Sequence, residues 1–163
     1  MARSYNGRMN TFRRPGHAAL RRGRYCAPGH VYHVTCATRD RTPFFADFAA
    51  ACAVGHCLGR GEVWGDAHAL AWVLMPDHAH WLIELGARDP LAQVVGRLKS
   101  ASARAANPVL CRHGALWAPA YYDHALRDEE DLRAVARYMV GNPVRAGLVE
   151  RVGDYPFWNA VWL

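Results

Sequence analysis

No apolar run in this 163-residue chain approaches the roughly 18 residues that a membrane-spanning helix needs, and no apolar core follows the Arg-rich N-terminus as it would in a secretory signal. A soluble, cytoplasmic protein is therefore expected. None of the five cysteines, Cys26, Cys36, Cys52, Cys57 and Cys111, forms a Cys-x-x-Cys pair, which argues against a zinc ribbon. An odd count in a chain of this size argues equally against a disulfide framework, so they read as small reduced residues of core or surface. Internal repeats and low-complexity stretches are missing too, which leaves no basis for a solenoid or a long disordered region. Acidic residues are absent from the first 27 positions. The chain holds 20 Lys and Arg against 14 Asp and Glu, and seven of those Arg lie in that acid-free stretch, so the rest of the chain is close to neutral.

What is present fits one domain with a full core: 52% of residues are hydrophobic, with 6 Trp, 7 Tyr and 5 Phe. We divide the chain into a flexible basic arm, 1–27, and a single domain, 28–163. In the arm, Arg3, Arg8, Arg13, Arg14, Arg21, Arg22 and Arg24 alternate with Tyr5, Phe12 and Tyr25. That composition suits phosphates and unpaired bases, and it also suits a tail that only solubilises.

Alternating β-branched and aromatic residues predict a strand over 30–38. Asp47 is placed to cap a helix through about Leu58, with Phe48, Ala51, Cys52 and Gly55 inward. Two apolar runs, His68 to Met75 and His78 to Leu85, flank the turn residues Pro76-Asp77 and read as a hairpin of central strands. Asp89-Pro90 opens a helix whose inner face is Leu91, Val94, Val95, Leu98 and Ala101, with Arg97, Lys99 and Arg104 on its other face, and Asn107-Pro108 ends it. Segment 116–126 leads into a fourth strand. Asp128 and Asp131 form a capping box for a last helix that stops near Asn142-Pro143. The order β-α-β-β-α-β-α predicts an α+β fold: a ferredoxin-like split βαβ sandwich, its antiparallel sheet covered by helices on one face.

His78 and His80, two apart on a strand, point to the same side of the sheet and can grip one divalent ion, although such a pair can equally be hydrogen-bonded surface histidines. Tyr138 and Asn142, four apart, share a helix face. Asn supplies an oxygen suited to Mg²⁺ or Mn²⁺, and Tyr becomes a nucleophile where its proton is removed; an interface aromatic and a helix stop are the plainer alternatives. Asp77 reads either as a turn residue or as the partner that orients an imidazole. Tyr121, Tyr122 and His124 read as core or as base-stacking groups, Trp158 and Trp162 as residues closing the core.

The runs WVLMPDHAHWLIEL (72–85), YHVTCATRDRTPFF (32–45), LWAPAYYDHALRDEEDLRAVARYMVGNPVRAGLV (116–149) and DYPFW (154–158) occur together and in order. Over about 28–160 the chain resembles the single-tyrosine HUH transposases, and within them the REP-associated tyrosine transposases. The resemblance implies a metal-dependent transposase that cleaves and rejoins single-stranded DNA at hairpins through a 5′-phosphotyrosine intermediate, without a nucleotide cofactor. It implies Tyr138 as nucleophile and His78, His80 and Asn142 as ligands of Mg²⁺ or Mn²⁺; insertion-sequence relatives commonly carry Gln where this chain has Asn142. It also implies a cytoplasmic, nucleoid-associated protein, with a monomer favoured over a homodimer. Arg13, Arg14, Arg21, Arg22, Arg24, Arg97, Lys99 and Arg104 are the candidate DNA-binding residues. The alternatives are a non-cleaving binder of single-stranded DNA or RNA hairpins and a water-using phosphodiesterase.

Overall fold

Side chains of alternating bulk make Val31–Ala37 a strand (β1) with every second residue buried, as a half-covered sheet requires. The computed structural model describes residues 28–127 and 131–162. The arm, with Cys26 and its candidate Arg residues, lies outside the described residues, as do Asp128, Glu129 and Glu130. After β1 come helix α1 (Phe48–Gly59), the hairpin β2 (His68–Met75) and β3 (His78–Glu84), helix α2 (Leu91–Val109), β4 (Tyr122–Ala125), α3 (Leu132–Val140), the single turn α4 (Asn142–Arg145) and β5 (Trp158–Ala160). The sheet order is β4-β1-β3-β2-β5, and every pairing is antiparallel. This is the expected split βαβ sheet with a strand added at the β2 edge. A three-residue strand is too short to show a period, which is why β5 has no signature in the sequence.

The two faces differ in kind. Trp72 and Trp81 stand opposite each other in the β2–β3 register. Trp72 lies against Gly55 of α1, where a methyl group would sit 3.8 Å from its ring. Trp81 meets Trp117 edge-on at 5.9 Å, and the Trp117 indole N–H donates to Ser102 Oγ on α2 at 2.8 Å. Helices α1 and α2 therefore cover the tryptophan face, sealing a core that includes Val34, Cys36, Leu74, Ile83 and Leu98. The opposite face carries His33 and Thr35 from β1, His78, His80 and Leu82 from β3, and Tyr122 and His124 from β4, as the paired registers dictate. α3 and α4 pack against β2, and α3 against β5 as well.

Local details depart from expectation where tertiary contacts override sequence pattern. Asp47 caps α1 by accepting from the Ala50 N–H at 2.8 Å, yet the buried stripe is Ala50, Ala51, Val54 and Leu58. Phe48 is 66% exposed and turns toward Phe157, at a ring separation of 5.4 Å. Pro90, not Asp89, occupies the cap of α2, because the Asp89 carboxylate is drawn to Arg97 at 2.8 Å. The helix continues through Pro108 to Val109; a proline in the last turn removes little from the hydrogen-bond ladder. Asp131 caps α3, accepting from the N–H groups of Arg133 and Ala134. Cys36 is buried, Cys52 and Cys57 are half-buried, and Cys111 is exposed, with no disulfide among the described residues.

The rotated face of α1 is testable by urea denaturation: Leu58→Ala is expected to cost about 2–5 kcal/mol as a core truncation, and Phe48→Ala about 1 kcal/mol. Equal losses would place Phe48 in the core and contradict the packing described.

Candidate active site

The β1–β3 pairing sets Thr35 directly opposite His80, and the β1–β4 pairing sets Tyr122 on the far side of Thr35. This register brings four histidines onto one face. The Nδ1 atom of His80 lies 2.9 Å from Thr35 Oγ1 and 3.1 Å from His33 Nε2. The His78 Nδ1–H donates to Asp77 Oδ1 at 2.6 Å. The two rings stand 5.0 Å apart and perpendicular. Among the described residues no Nε2 of this pair meets a protein partner, so both imidazoles present that nitrogen outward, with Nδ1 spent on orientation. Asp77 is thus an orienting carboxylate as well as a turn residue.

Asp77 is itself held from several sides. Its second oxygen pairs with Arg41 at 3.3 Å, and its carbonyl accepts from the Thr38 amide at 2.9 Å and the Thr38 hydroxyl at 3.0 Å. Asp40 and Arg41 both have positive φ, 54° and 56°, a conformation costly for non-glycine residues that aims the Arg41 side chain back over the hairpin turn. The turn that carries the histidines is therefore clamped by segment 38–45, with Phe45 donating its amide to the Pro76 carbonyl at 3.0 Å.

Burial pushes the His80 imidazole down to about 3, with the charges of His78, His33, Arg145 and Arg41 adding to the effect. Burial, then His124, lowers His33 in the same direction. Both rings are neutral at physiological pH, the form that can donate a lone pair to a metal. Arg145, one of the charges that act on His80, is the last residue of α4.

Tyr138 is 65% exposed near the end of α3. The Arg145 guanidinium stacks over its ring at 3.9 Å and hydrogen-bonds both the Tyr138 carbonyl and Asn142 Oδ1. Gly141 ends α3, and Asn142 opens α4 just ahead of Pro143. The proline, which has no N–H and restricts the residue before it, breaks what would otherwise be one helix. Arg145 bridges the break.

The remaining sequence candidates fall elsewhere. Arg97 donates to the carbonyls of Val63 and Trp64 at 2.9 Å each, beside Gly65, where any Cβ would strike its guanidinium. Lys99 donates to the carbonyls of Ala118 and Ala120, tying the loop that leads to β4. Arg104 lines a groove of about 550 Å³ between α1 and α2, together with His56, Cys57 and Arg60. All three stand on the helix that covers the tryptophan face and are not gathered with the histidines. Sequence reasoning missed His33, Thr35, Arg41 and the bridging part of Arg145. The alternation of β1 puts His33 and Thr35 on one side, but only the strand register reveals that His80 is their neighbour.

A family model, Transposase IS200 like, matches residues 26–142, which span both histidines, Tyr138 and Asn142. The chain belongs to that family. A REP-associated tyrosine transposase of Escherichia coli (strain K12) is 33% identical over 89 residues, covering 53% of this chain and 50% of the relative. A relative from Haemophilus influenzae is 30% identical over 99 residues, covering 54% and 56%. The chain spans about half the length of these curated relatives. In three dimensions it is similar to a REP-associated tyrosine transposase solved bound to a REP hairpin, with a TM-score of 0.63 and 25% identity, covering 83% of this chain and 79% of the other. Among the described residues no helix is long and apolar enough to cross a membrane.

Because the folded protein resists protonating His80 while an unfolded imidazole titrates near 6.5, the unfolded chain binds more protons between about pH 6.5 and 3. The stability this contributes is complete above pH 6.5 and drains as pH falls toward 3. The urea midpoint is expected to drop from pH 7 to pH 5, and to drop less in His80→Gln; equal drops would deny the group this role.

Proposed function

We propose that this protein cuts and rejoins single-stranded DNA beside a hairpin, using Tyr138 as the nucleophile. The observation that carries the reading is the outward pair of Nε2 atoms, each imidazole fixed from behind by Asp77 or by Thr35 and His33, on the side of the sheet that Arg145 links to the exposed Tyr138. His78 and His80 would hold a Mg²⁺ or Mn²⁺ ion, with Asn142 as the third protein ligand; when bound, the ion draws charge from the scissile phosphate.

The chain's own residues do the rest. Tyr138 Oη attacks the phosphorus, the bond to the 3′ oxygen breaks, and the proton lost by the phenol is balanced by the one gained at the 3′-hydroxyl. The product is a 5′-phosphotyrosine, which the 3′-hydroxyl can re-attack with little net energy change, so no nucleotide is consumed. Arg145 holds the nucleophile's ring, its carbonyl and the Asn142 side chain at once. When a DNA phosphate arrives, its guanidinium has a better, charge-assisted acceptor, and moving to it frees Asn142 Oδ1. The neutral His33 and His80 keep cationic charge out of the space between the ligands, so proton competition at the site is suppressed near pH 7.

The test is incubation of end-labelled hairpin oligonucleotides carrying single-stranded flanks with protein and Mg²⁺ or Mn²⁺, run on a denaturing gel. A metal-dependent covalent adduct is expected with the native protein and none with Tyr138→Phe. Cleavage that survives in Tyr138→Phe without an adduct would make the enzyme a water-using phosphodiesterase, and binding without cleavage would make it a hairpin-binding module. For the orienting carboxylate, Asp77→Asn is expected to weaken Mn²⁺ binding about 10–100-fold in a calorimetric titration, as loss of a histidine's supporting partner does elsewhere.

A further inference from the structure

Tyr121 and Tyr122 are adjacent in sequence, yet the strand they lead into sends them to opposite fates. Tyr121 packs against the core, its ring under the Lys99 ammonium at 5.5 Å. Tyr122, the first residue of β4, is 67% exposed. Its strand is an edge of the sheet, and the register puts Tyr122, Thr35 and His80 in one row across the histidine face. Neighbouring strands lie about 4.8 Å apart, so the Tyr122 position is about 10 Å from His80 along that row. His124, two residues on, shares the face and is exposed as well.

Two cations flank this surface: Arg41, ion-paired with Asp77 at 3.3 Å beside the hairpin turn, and Arg145, stacked over the Tyr138 ring at 3.9 Å. A guanidinium so placed gains a charge-assisted acceptor when a phosphate arrives. A strand whose phosphate sits at the histidine pair, held between those cations, has its neighbouring bases within reach of β4. An exposed phenol ring on a strand face is a sequence-tolerant stacking surface, because every base has a π-face. Its hydroxyl is not needed for that, and no ion pair has to be broken to use it.

We propose that Tyr122 is the stacking platform for an unpaired base of the DNA strand bound at His78 and His80. This rests on the reading of the protein as an enzyme of single-stranded DNA, and it assigns to β4 the task of holding the strand in line with Tyr138. Tyr122 touches a base and takes no part in the chemistry.

The experiment uses the full chain in EDTA and a 5′-fluorescein hairpin oligonucleotide whose single-stranded flank is fixed by selection from a random pool. Anisotropy gives Kd for the native protein, Tyr122→Ala and Tyr122→Phe, on the intact strand and on strands with one abasic site moved along the flank. Tyr122→Ala is expected to raise Kd about 5–100-fold, and Tyr122→Phe to leave it unchanged. At one flank position the abasic strand is expected to reproduce that loss with the native protein and to add nothing to it in Tyr122→Ala. An unchanged Kd in Tyr122→Ala, an equal loss in Tyr122→Phe, or additive losses at every abasic position overturns the assignment. So does a change in oligomeric mass of Tyr122→Ala with DNA affinity intact, which would make the ring a contact between copies. Native protein that binds no single-stranded flank overturns the enzyme reading and this assignment together, whereas native binding with Tyr122→Ala unaffected overturns this assignment alone.

Discussion

The antiparallel register of β1 against β3 is the constraint on which the site depends. With Thr35 opposite His80, the side chains of His33, Thr35, His78 and His80 fall on one face and Trp81 on the other. A slip of one residue would bury the histidines against α1 and α2 and expose the tryptophans. The register is held by the core it creates: Trp81, Trp117 and Ser102 interlock on one side, and that packing is paid for only in this alignment. The arrangement of the histidine face is thus specified by hydrophobic burial on the other.

A second layer of constraint acts on the hairpin turn. Pro76 and Asp77 make the turn possible, but Thr38, Arg41 and Phe45 decide where it sits, through the Asp77 and Pro76 carbonyls and the Asp77 carboxylate. Asp77 therefore transmits the position of segment 38–45 to the His78 ring. On the helical side, Arg145 performs the matching task by joining α3 to α4 across the break at Gly141 and holding Tyr138 and Asn142 as a unit. Tyr138 and the histidines are set by different elements, and their mutual position depends on α3 and α4 packing against β2.

Much of this was legible in the sequence, and the reasons are local. The period of two in 30–38 and the apolar runs on either side of Pro76-Asp77 mark three strands to within a residue or two, and His-x-His needs only that period to share a face. Asp47 announces its helix because a carboxylate before an apolar run can accept from the unsatisfied N–H groups of the first turn; the capping box read for α3 has its Asp128 outside the described residues, and Asp131 is the cap there. What stayed hidden is non-local. The pairing of Thr35 and His33 with His80 depends on register across 45 and 47 residues of chain. The α2 basic residues looked like a phosphate-binding face by spacing, whereas Arg97 and Lys99 donate to backbone carbonyls that only the folded loops supply. Phe48 followed helical spacing and is nevertheless turned outward by Phe157.

The sheet holds both imidazoles with Nδ1 engaged and Nε2 presented outward. Long-range ¹⁵N–¹H correlation spectra of the metal-free protein at pH 7 read the tautomer of each histidine directly. The Nδ1–H form is expected for His78 and His80, with the His80 signals altered in Thr35→Val and those of His78 in Asp77→Asn. An Nε2–H tautomer at either ring, with the fold intact, would contradict it.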